Sequence, residues 1–153
     1  MAYTYLHSAI DGFSRLSYTE PLPDEKGTTA AAFLARAKVR FAAHDITHIH
    51  RVVTDNGACY RSGDFARIVG AQIQHQRTKP YTPRHNGKVE RYQRILAEDL
   101  LYAWGFTSED ARTAAIAVWN IHYNYHRPHS GAGGQPPASR LREGVTNIQP
   151  SCS

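Results

Sequence analysis

Lys79-Pro80-Tyr81-Thr82-Pro83-Arg84-His85-Asn86-Gly87-Lys88-Val89-Glu90-Arg91 changes character midway, and the fold is read outward from that change. Pro80 and Pro83 forbid a regular strand or helix through the first half. Asn86-Gly87 supplies a last flexible joint, and a helical pattern begins at Lys88. Val89, Tyr92, Leu96, Leu100 and Ala103 recur at i, i+3, i+4 spacing and predict one apolar stripe. Glu90 stands just inside the helix start, off that stripe. A carboxylate at the mouth of a basic loop, on a helix whose other face is buried, is a poor packing choice and a good metal ligand.

A second carboxylate lies upstream. His48-Ile49-His50-Arg51-Val52-Val53-Thr54 alternates and then turns apolar, as a partly buried strand does, and runs into Asp55-Asn56-Gly57. An Asp at the carboxyl end of a core strand sits where α/β folds hold their ligands. Asp55 and Glu90, converging from a strand end and a helix start, suit Mg²⁺ or Mn²⁺, and a pair of such ions stabilises both oxygens of a phosphoryl transfer. The plainer readings are a turn former for Asp55 and a helix-dipole acid for Glu90. Around them stand Lys79, Arg84, His85, Lys88, Arg91 and Arg94, with Tyr81 and Asn86 among them. Such a set holds a phosphate backbone, with Tyr81 placed to stack on a base or sugar. A solvated loop and helix face would explain Lys88 and Arg91, but explains Tyr81, Pro83 and Asn86-Gly87 poorly.

Three ordered motifs carry a resemblance: Thr54-Asp55-Asn56-Gly57, the Lys79–Arg91 stretch, and Tyr123-Asn124-Tyr125-His126-Arg127-Pro128-His129. Together they resemble the bacterial insertion-sequence transposases of the DDE type, which share the retroviral-integrase catalytic core. The resemblance implies a ribonuclease-H-like α/β fold, a mixed sheet flanked by helices. It implies Asp55 and Glu90 as catalytic, metal-holding acids, and Lys79, Tyr81, Arg84, His85, Asn86, Lys88, Arg91 and Arg94 as DNA-binding residues. It further implies Mg²⁺ or Mn²⁺ as cofactor, element ends and target DNA as partners, and DNA cleavage and strand transfer as the activity. A bacterial cytoplasmic, nucleoid-associated location and at least a homodimer follow from the same likeness. In that family the first catalytic Asp lies on an opening strand, ahead of the segment resembling Tyr3 to Arg15. The expectation is therefore a core lacking its first strand and first Asp, and inactive by itself; the alternative is a truncated relative that only binds DNA or a full-length partner. Asp11 is a candidate third carboxylate, although Asp11-Gly12 reads more simply as a turn.

Composition agrees with one soluble domain. The chain has 153 residues, 41% of them hydrophobic and 20% charged. Lys and Arg outnumber Asp and Glu by 18 to 13, a net +5 that favours a polyanionic partner. No apolar run is long enough to span a membrane. Cys59 and Cys152 read as thiols in a reducing compartment. His44, His48 and His50, and again His122, His126 and His129, lack the company of cysteine that a zinc site would have, and read as surface residues.

Strands are expected over Tyr3 to Ile10, Leu16 to Leu22, Ile46 to Thr54 and Ala71 to Gln76. Helices are expected from Thr28 or Thr29 as cap through Ala43, from Ser62 to Val69, from Lys88, and from a Ser108 cap through Tyr125. The last would bury Ala111, Ala115, Val118, Trp119 and His122. Residues 1–130 read as the core and 131–153 as a mobile C-terminal tail. Four strands without the first leave an open edge inside the sheet, a reason to expect strand exchange between copies. Trp104, Trp119 and Tyr123 are expected to add exposed apolar surface.

Overall fold

Alternation along Tyr5–Asp11 (β1) sends Leu6 and Ile10 into one apolar cluster and Ala9 into another, so both faces of this strand are covered. The computed structural model describes residues 5–12, 14–78, 87–101, 108–127, 136–140 and 146–152. β1 pairs antiparallel with β2 (Ser17–Leu22), from Tyr5↔Leu22 to Ile10↔Ser17. The turn between them is tied by Asp11: its Oδ2 accepts from the Ser14 amide at 3.0 Å and the Ser14 hydroxyl at 2.6 Å. Those bonds support Arg15 at φ 68°, a left-handed conformation that non-glycine residues rarely adopt.

One face of the sheet carries α1 (Gly27–Ala42) and α2 (Gly63–Val69), which contribute Ala30, Phe33, Leu34, Ala37, Phe41, Phe65 and Val69 to a core with Ala9, Val52 and Ile148. The other carries α3 (Gly87–Leu96) and α4 (Glu109–Tyr125), where Tyr92, Leu96, Ile116, Trp119 and Tyr123 pack on Leu6 and Ile10. β3 (Ile49–Thr54) pairs parallel with β4 (Gln74–Arg77), from Arg51↔Gln74 to Thr54↔Arg77. This pairing sets both strands' limits: Ile46 is buried but precedes β3, and β4 starts later than its apolar Ala71 suggested.

The tail expectation is corrected by the sheet. Thr146–Cys152 forms β5, and the strand order is β2-β1-β5-β3-β4. β5 lies antiparallel to β1, from His7↔Cys152 to Asp11↔Ile148, and parallel to β3, from Ile49↔Thr146 to Val52↔Ile148. The interior edge expected to stand open is filled by the chain itself. Asn, Gln, Pro and Ser give this segment little strand preference, which is why it reads as a tail. Unpaired backbone on two neighbouring strands overrides that preference.

Local polar bonds also move helix boundaries and faces. No threonine side chain caps α1. Asp24 Oδ1 instead accepts from the Lys26 amide at 2.9 Å and from the Thr29 hydroxyl at 2.5 Å. Ser62 and Ser108 do cap α2 and α4, accepting from the amides of Phe65 and Ala111. The helix expected to run on from Lys88 gives way after Leu96 to a π-helical turn, Ala97–Leu101. On α4 the buried set is Ile116, Trp119 and Tyr123, while Ala111, Val118 and His122 face solvent. Trp119 and Tyr123 are thus core residues and not surface; Trp104 lies outside the described residues.

Two asparagines explain the rotation. Asn120 and Asn124, one turn apart, each bind a β2 residue through both amide atoms. Asn120 Oδ1 accepts from the Thr19 amide at 2.9 Å, and its Nδ2 donates to the Thr19 carbonyl at 3.0 Å. Asn124 does the same with Ser17, both bonds at 2.8 Å. They occupy the outer edge of β2 as a further strand would, so that edge offers no pairing template. The Asn124→Ala variant leaves a buried amide and carbonyl of Ser17 without partners and is expected to lose about 2 to 4 kcal/mol in urea unfolding. Asn124→Asp, which keeps the acceptor only, should fall between that variant and the parent chain.

Candidate metal and nucleic-acid site

Thr54 ends β3 fully buried, and the next residue, Asp55, is exposed. Its Oδ1 accepts from the Gly57 amide at 2.7 Å, a tight turn that holds the carboxylate at the strand mouth. A Cβ at Gly57 would come within 2.9 Å of that same oxygen, so a side chain there would push on Asp55.

Sequence reading missed the residue beneath this turn. The Thr54 hydroxyl donates to the Asp55 carbonyl at 2.8 Å and lies 2.8 Å from His75 Nε2. A hydroxyl has one proton, already given to the carbonyl, so Nε2 must carry the hydrogen of the second bond. His75 is half-buried, with Phe65 at a ring-centroid distance of 5.3 Å. Burial, and then the positive charge of Arg77, hold its pKa below the ordinary value, which favours the neutral imidazole with hydrogen on Nε2. A backbone-shaping chain thus runs from β4 through β3 to Asp55. Strand alternation could have put His75 on a face, but nothing local pairs it with Thr54.

Glu90 lies on α3; its side chain lies outside the described residues. Lys79, Tyr81, Arg84, His85 and Asn86 lie outside them as well. Lys88, Arg91 and Arg94 are exposed on α3, and Arg91 and Arg94 lie on the side away from buried Tyr92 and Leu96. Lys88 does more than present charge: its ammonium donates to the Gly12 carbonyl at 2.7 Å and ties the start of α3 to the β1–β2 turn. Tyr92 anchors the same helix from below. Its hydroxyl meets Thr19 Oγ1 at 2.6 Å and accepts from Trp119 Nε1 at 3.0 Å.

The remaining candidates separate cleanly. The Asp11 carboxylate is engaged by Ser14 inside its own turn, as a structural residue would be. His44 binds the Arg40 carbonyl and the Tyr125 hydroxyl. His48, His50, His122 and His126 are exposed, and His129 lies outside the described residues. Arg127, in the third motif, donates to Asp99 at 2.7 Å. Among the described residues no group of three or more His, Cys, Asp or Glu is close enough to hold a metal. The donor chemistry of Asp55, a hard oxygen ligand exposed at a strand end, does fit a divalent cation.

Two integrase core domain models match the sequence, one over residues 1–83 and one over residues 71–137. The chain belongs to the integrase core domain family. Among curated proteins it is 34% identical over 100 residues to the putative transposase InsD for insertion element IS2E of Escherichia coli strain K12, a match covering 62% of this chain and 44% of that protein. An insertion element IS2A uncharacterized 48.2 kDa protein of Escherichia coli is 35% identical over 100 residues, 62% of this chain and 23% of its own length. The chain thus spans under half the length of these relatives.

Solved structures share the fold. The catalytic core domain of BIV integrase superposes with a TM-score of 0.64 at 24% identity, over 89% of this chain and 84% of that one. The HTLV-2 integrase catalytic core domain, determined in complex with magnesium, gives 0.61 at 21% identity, over 91% and 85%. A simian T-cell lymphotropic virus intasome gives 0.68 at 23% identity, over 92% and 50%. The integrase-core sheet with helices on both faces is therefore the architecture of this chain. No helix among the described residues is long and apolar enough to cross a membrane.

The lowered pKa of His75 has a stability consequence. Because folding disfavours its protonated form, the contribution is whole above the unfolded value of 6.5 and is lost as pH falls from there through the folded value. Melting temperature is expected to drop as pH falls below about 6.5, and His75→Gln, which retains a side-chain donor, should flatten that fall.

Proposed function

We propose that this chain is the core of an insertion-sequence transposase that cleaves DNA strands at an element end and joins them to a target, with Asp55 and Glu90 as two of its three acids. We further propose that the polypeptide lacks the first acid and is inactive by itself. The observation that carries this reading is the central strand. The Asp55 strand adjoins β5, and β5, reading Thr-Asn-Ile-Gln-Pro-Ser-Cys, holds no Asp or Glu. By the resemblance, an Asp-bearing first strand belongs beside the strand that ends at Asp55.

Asp55 and Glu90 would hold Mg²⁺ or Mn²⁺ through oxygen. When bound, such ions supply positive charge against the attacking and leaving oxygens of a phosphodiester. The chain's own residues do the positioning. His75 and Thr54 fix the turn from which Asp55 projects, and Lys88 and Tyr92 fix the helix that carries Glu90. Exposed Lys88, Arg91 and Arg94 would lie along phosphates, with the loop bearing Lys79, Tyr81, Arg84, His85 and Asn86 over the DNA end. The names of the Escherichia coli relatives, transposases of insertion elements, support DNA as substrate and a bacterial cytoplasmic, nucleoid-associated setting.

A homodimer belongs to the same proposal. Val118, Ile121 and Tyr125 on α4, at i, i+3 and i+7, are 66%, 57% and 47% exposed, an apolar surface on one side of that helix. A second reading, a relative that binds DNA or a full-length partner without cutting, is favoured by the acid-free β5.

Incubated with a pre-cut element end and Mn²⁺, the chain is expected to give little or no joined product on a sequencing gel. Robust joining that survives Asp11→Ala and dies with Glu90→Gln would overturn the missing-acid reading. Duplex binding, followed by anisotropy, should be largely indifferent to sequence and weaken with salt. The Arg91→Ala/Arg94→Ala variant should reduce the log–log salt slope by about 0.9 for each phosphate it no longer neutralises. Discrimination of one sequence at high salt would count against it.

A further inference from the structure

Gly27 opens α1 at a point of contact that admits no side chain. A Cβ there would lie 2.5 Å from the Ser62 hydroxyl oxygen, 2.6 Å from the Ser62 Cβ and 3.6 Å from the Cys59 carbonyl oxygen. Non-bonded carbons rest about 3.5 to 4.0 Å apart, so an alanine at this place requires α1 or Ser62 to move. The φ of Gly27 lies outside the left-handed range, so room, and not backbone freedom, is what this glycine provides.

The α1 side of this contact is tied back to the sheet. The Asp24 carbonyl accepts from His7 Nε2 at 2.8 Å, and His7 is a buried residue of β1. The Asp24 carboxylate accepts from the Lys26 amide and the Thr29 hydroxyl, which fixes the turn around Gly27. The Ser62 side leads to Asp55. The Ser62 hydroxyl donates to the Cys59 carbonyl at 2.9 Å while accepting from the Phe65 amide at 3.1 Å. Cys59 stands in a 3₁₀ turn, Ala58–Arg61, in which the Tyr60 amide donates to the Gly57 carbonyl at 3.0 Å. The Gly57 amide in turn donates to Asp55 Oδ1 at 2.7 Å. Tyr60 is buried edge-on against buried Phe65, with ring centroids 5.1 Å apart, so the 3₁₀ turn moves with α2.

We propose that Gly27 is a positioning residue for Asp55. By letting the start of α1 close on Ser62, it sets, through Ser62, Tyr60 and Gly57, the direction in which the Asp55 carboxylate meets a divalent cation. Asp55 itself is exposed, and its carboxylate takes its direction from the Gly57 amide. A side chain at position 27 displaces Ser62, carries Cys59 and Tyr60 with it, and re-aims that amide. The cation rests on the metal-site reading above; the mechanical link from Gly27 to Asp55 does not.

Amide NMR spectra of the full chain, titrated with Mn²⁺, read the link and the cation separately. In the parent chain Mn²⁺ is expected to broaden the Asn56 and Gly57 amides selectively, and Asp55→Asn to abolish that effect. Gly27→Ala should move the Gly57 signal and weaken Mn²⁺ binding about tenfold, the usual loss when a group supporting a metal ligand is disturbed. In a Ser62→Gly background, where both clashing atoms are gone, Gly27→Ala should change that affinity less than about twofold. Ile116→Ala, which empties core space on the other face of the sheet, should lower the melting temperature and leave both readings alone. Gly27→Ala that lowers only the melting temperature, or costs the same affinity in both backgrounds, would overturn the proposal. A Gly57 signal that moves with Gly27→Ala, when Mn²⁺ broadens nothing in the parent chain, would keep the link and overturn the metal site. Should Gly27→Ala fail to fold, Ser62→Gly decides: it should shift the Gly57 signal and weaken Mn²⁺ binding, and no change in either would overturn the link.

Discussion

The structure depends on the satisfaction of two backbone edges. β1 and β3 each present a row of amides and carbonyls toward the middle of the sheet, and buried groups of that kind must find partners. The C-terminal segment supplies them, despite a composition that favours no strand. Ile148 then links the layers, since it belongs to the core formed by α1, α2, Ala9 and Val52. Burying one such side chain is worth about 1.5 to 3 kcal/mol, and the ladder bonds on both sides add to it.

Around that sheet, polar side chains bound to backbone decide how the helices sit. Apolar burial is non-directional and would allow α4 several rotations about its axis. Asn120 and Asn124 admit one, because four hydrogen bonds to Ser17 and Thr19 must all be met. The cost is visible on the outside, where Val118 and Ile121 are turned to solvent. Asp24 at the start of α1 and Lys88 at the start of α3 act in the same manner, fixing helix ends by reaching distant or preceding backbone and side-chain groups.

The candidate site inherits its order from these bonds. Asp55 is exposed with its carboxylate steadied by the Gly57 amide, while the residues immediately before it are buried and its carbonyl is held by Thr54. An exposed carboxylate is thereby mounted on a rigid strand end. The basic face of α3 has the same construction, with Tyr92 locked below by Thr19 and Trp119 and the cations of Arg91 and Arg94 above. Membership of the integrase core family and the fold shared with retroviral integrase catalytic cores place this arrangement on the integrase-core scaffold.

Much of this was legible in the linear chain. Spacing in Tyr92 and Leu96 predicts α3 and its buried side; β-rich runs ending at Asp11 and Asp55 predict strand ends with turns; Ser62 and Ser108 announce their helices, since capping is a matter of three adjacent residues. The Asp-Asn-Gly turn, the helix of Glu90 and the family they point to are equally local. What only tertiary structure decided are the pairings between residues far apart in sequence. These are β5 in the middle of the sheet, His75 behind Thr54, and the asparagine pair on β2. The physical reason is common to all three. A backbone edge or a buried hydroxyl takes whichever partner space supplies, and its demand leaves no mark on the residues that answer it. For Asp11 the turn was already the simpler reading, and its bonds to the Ser14 amide and hydroxyl agree with it.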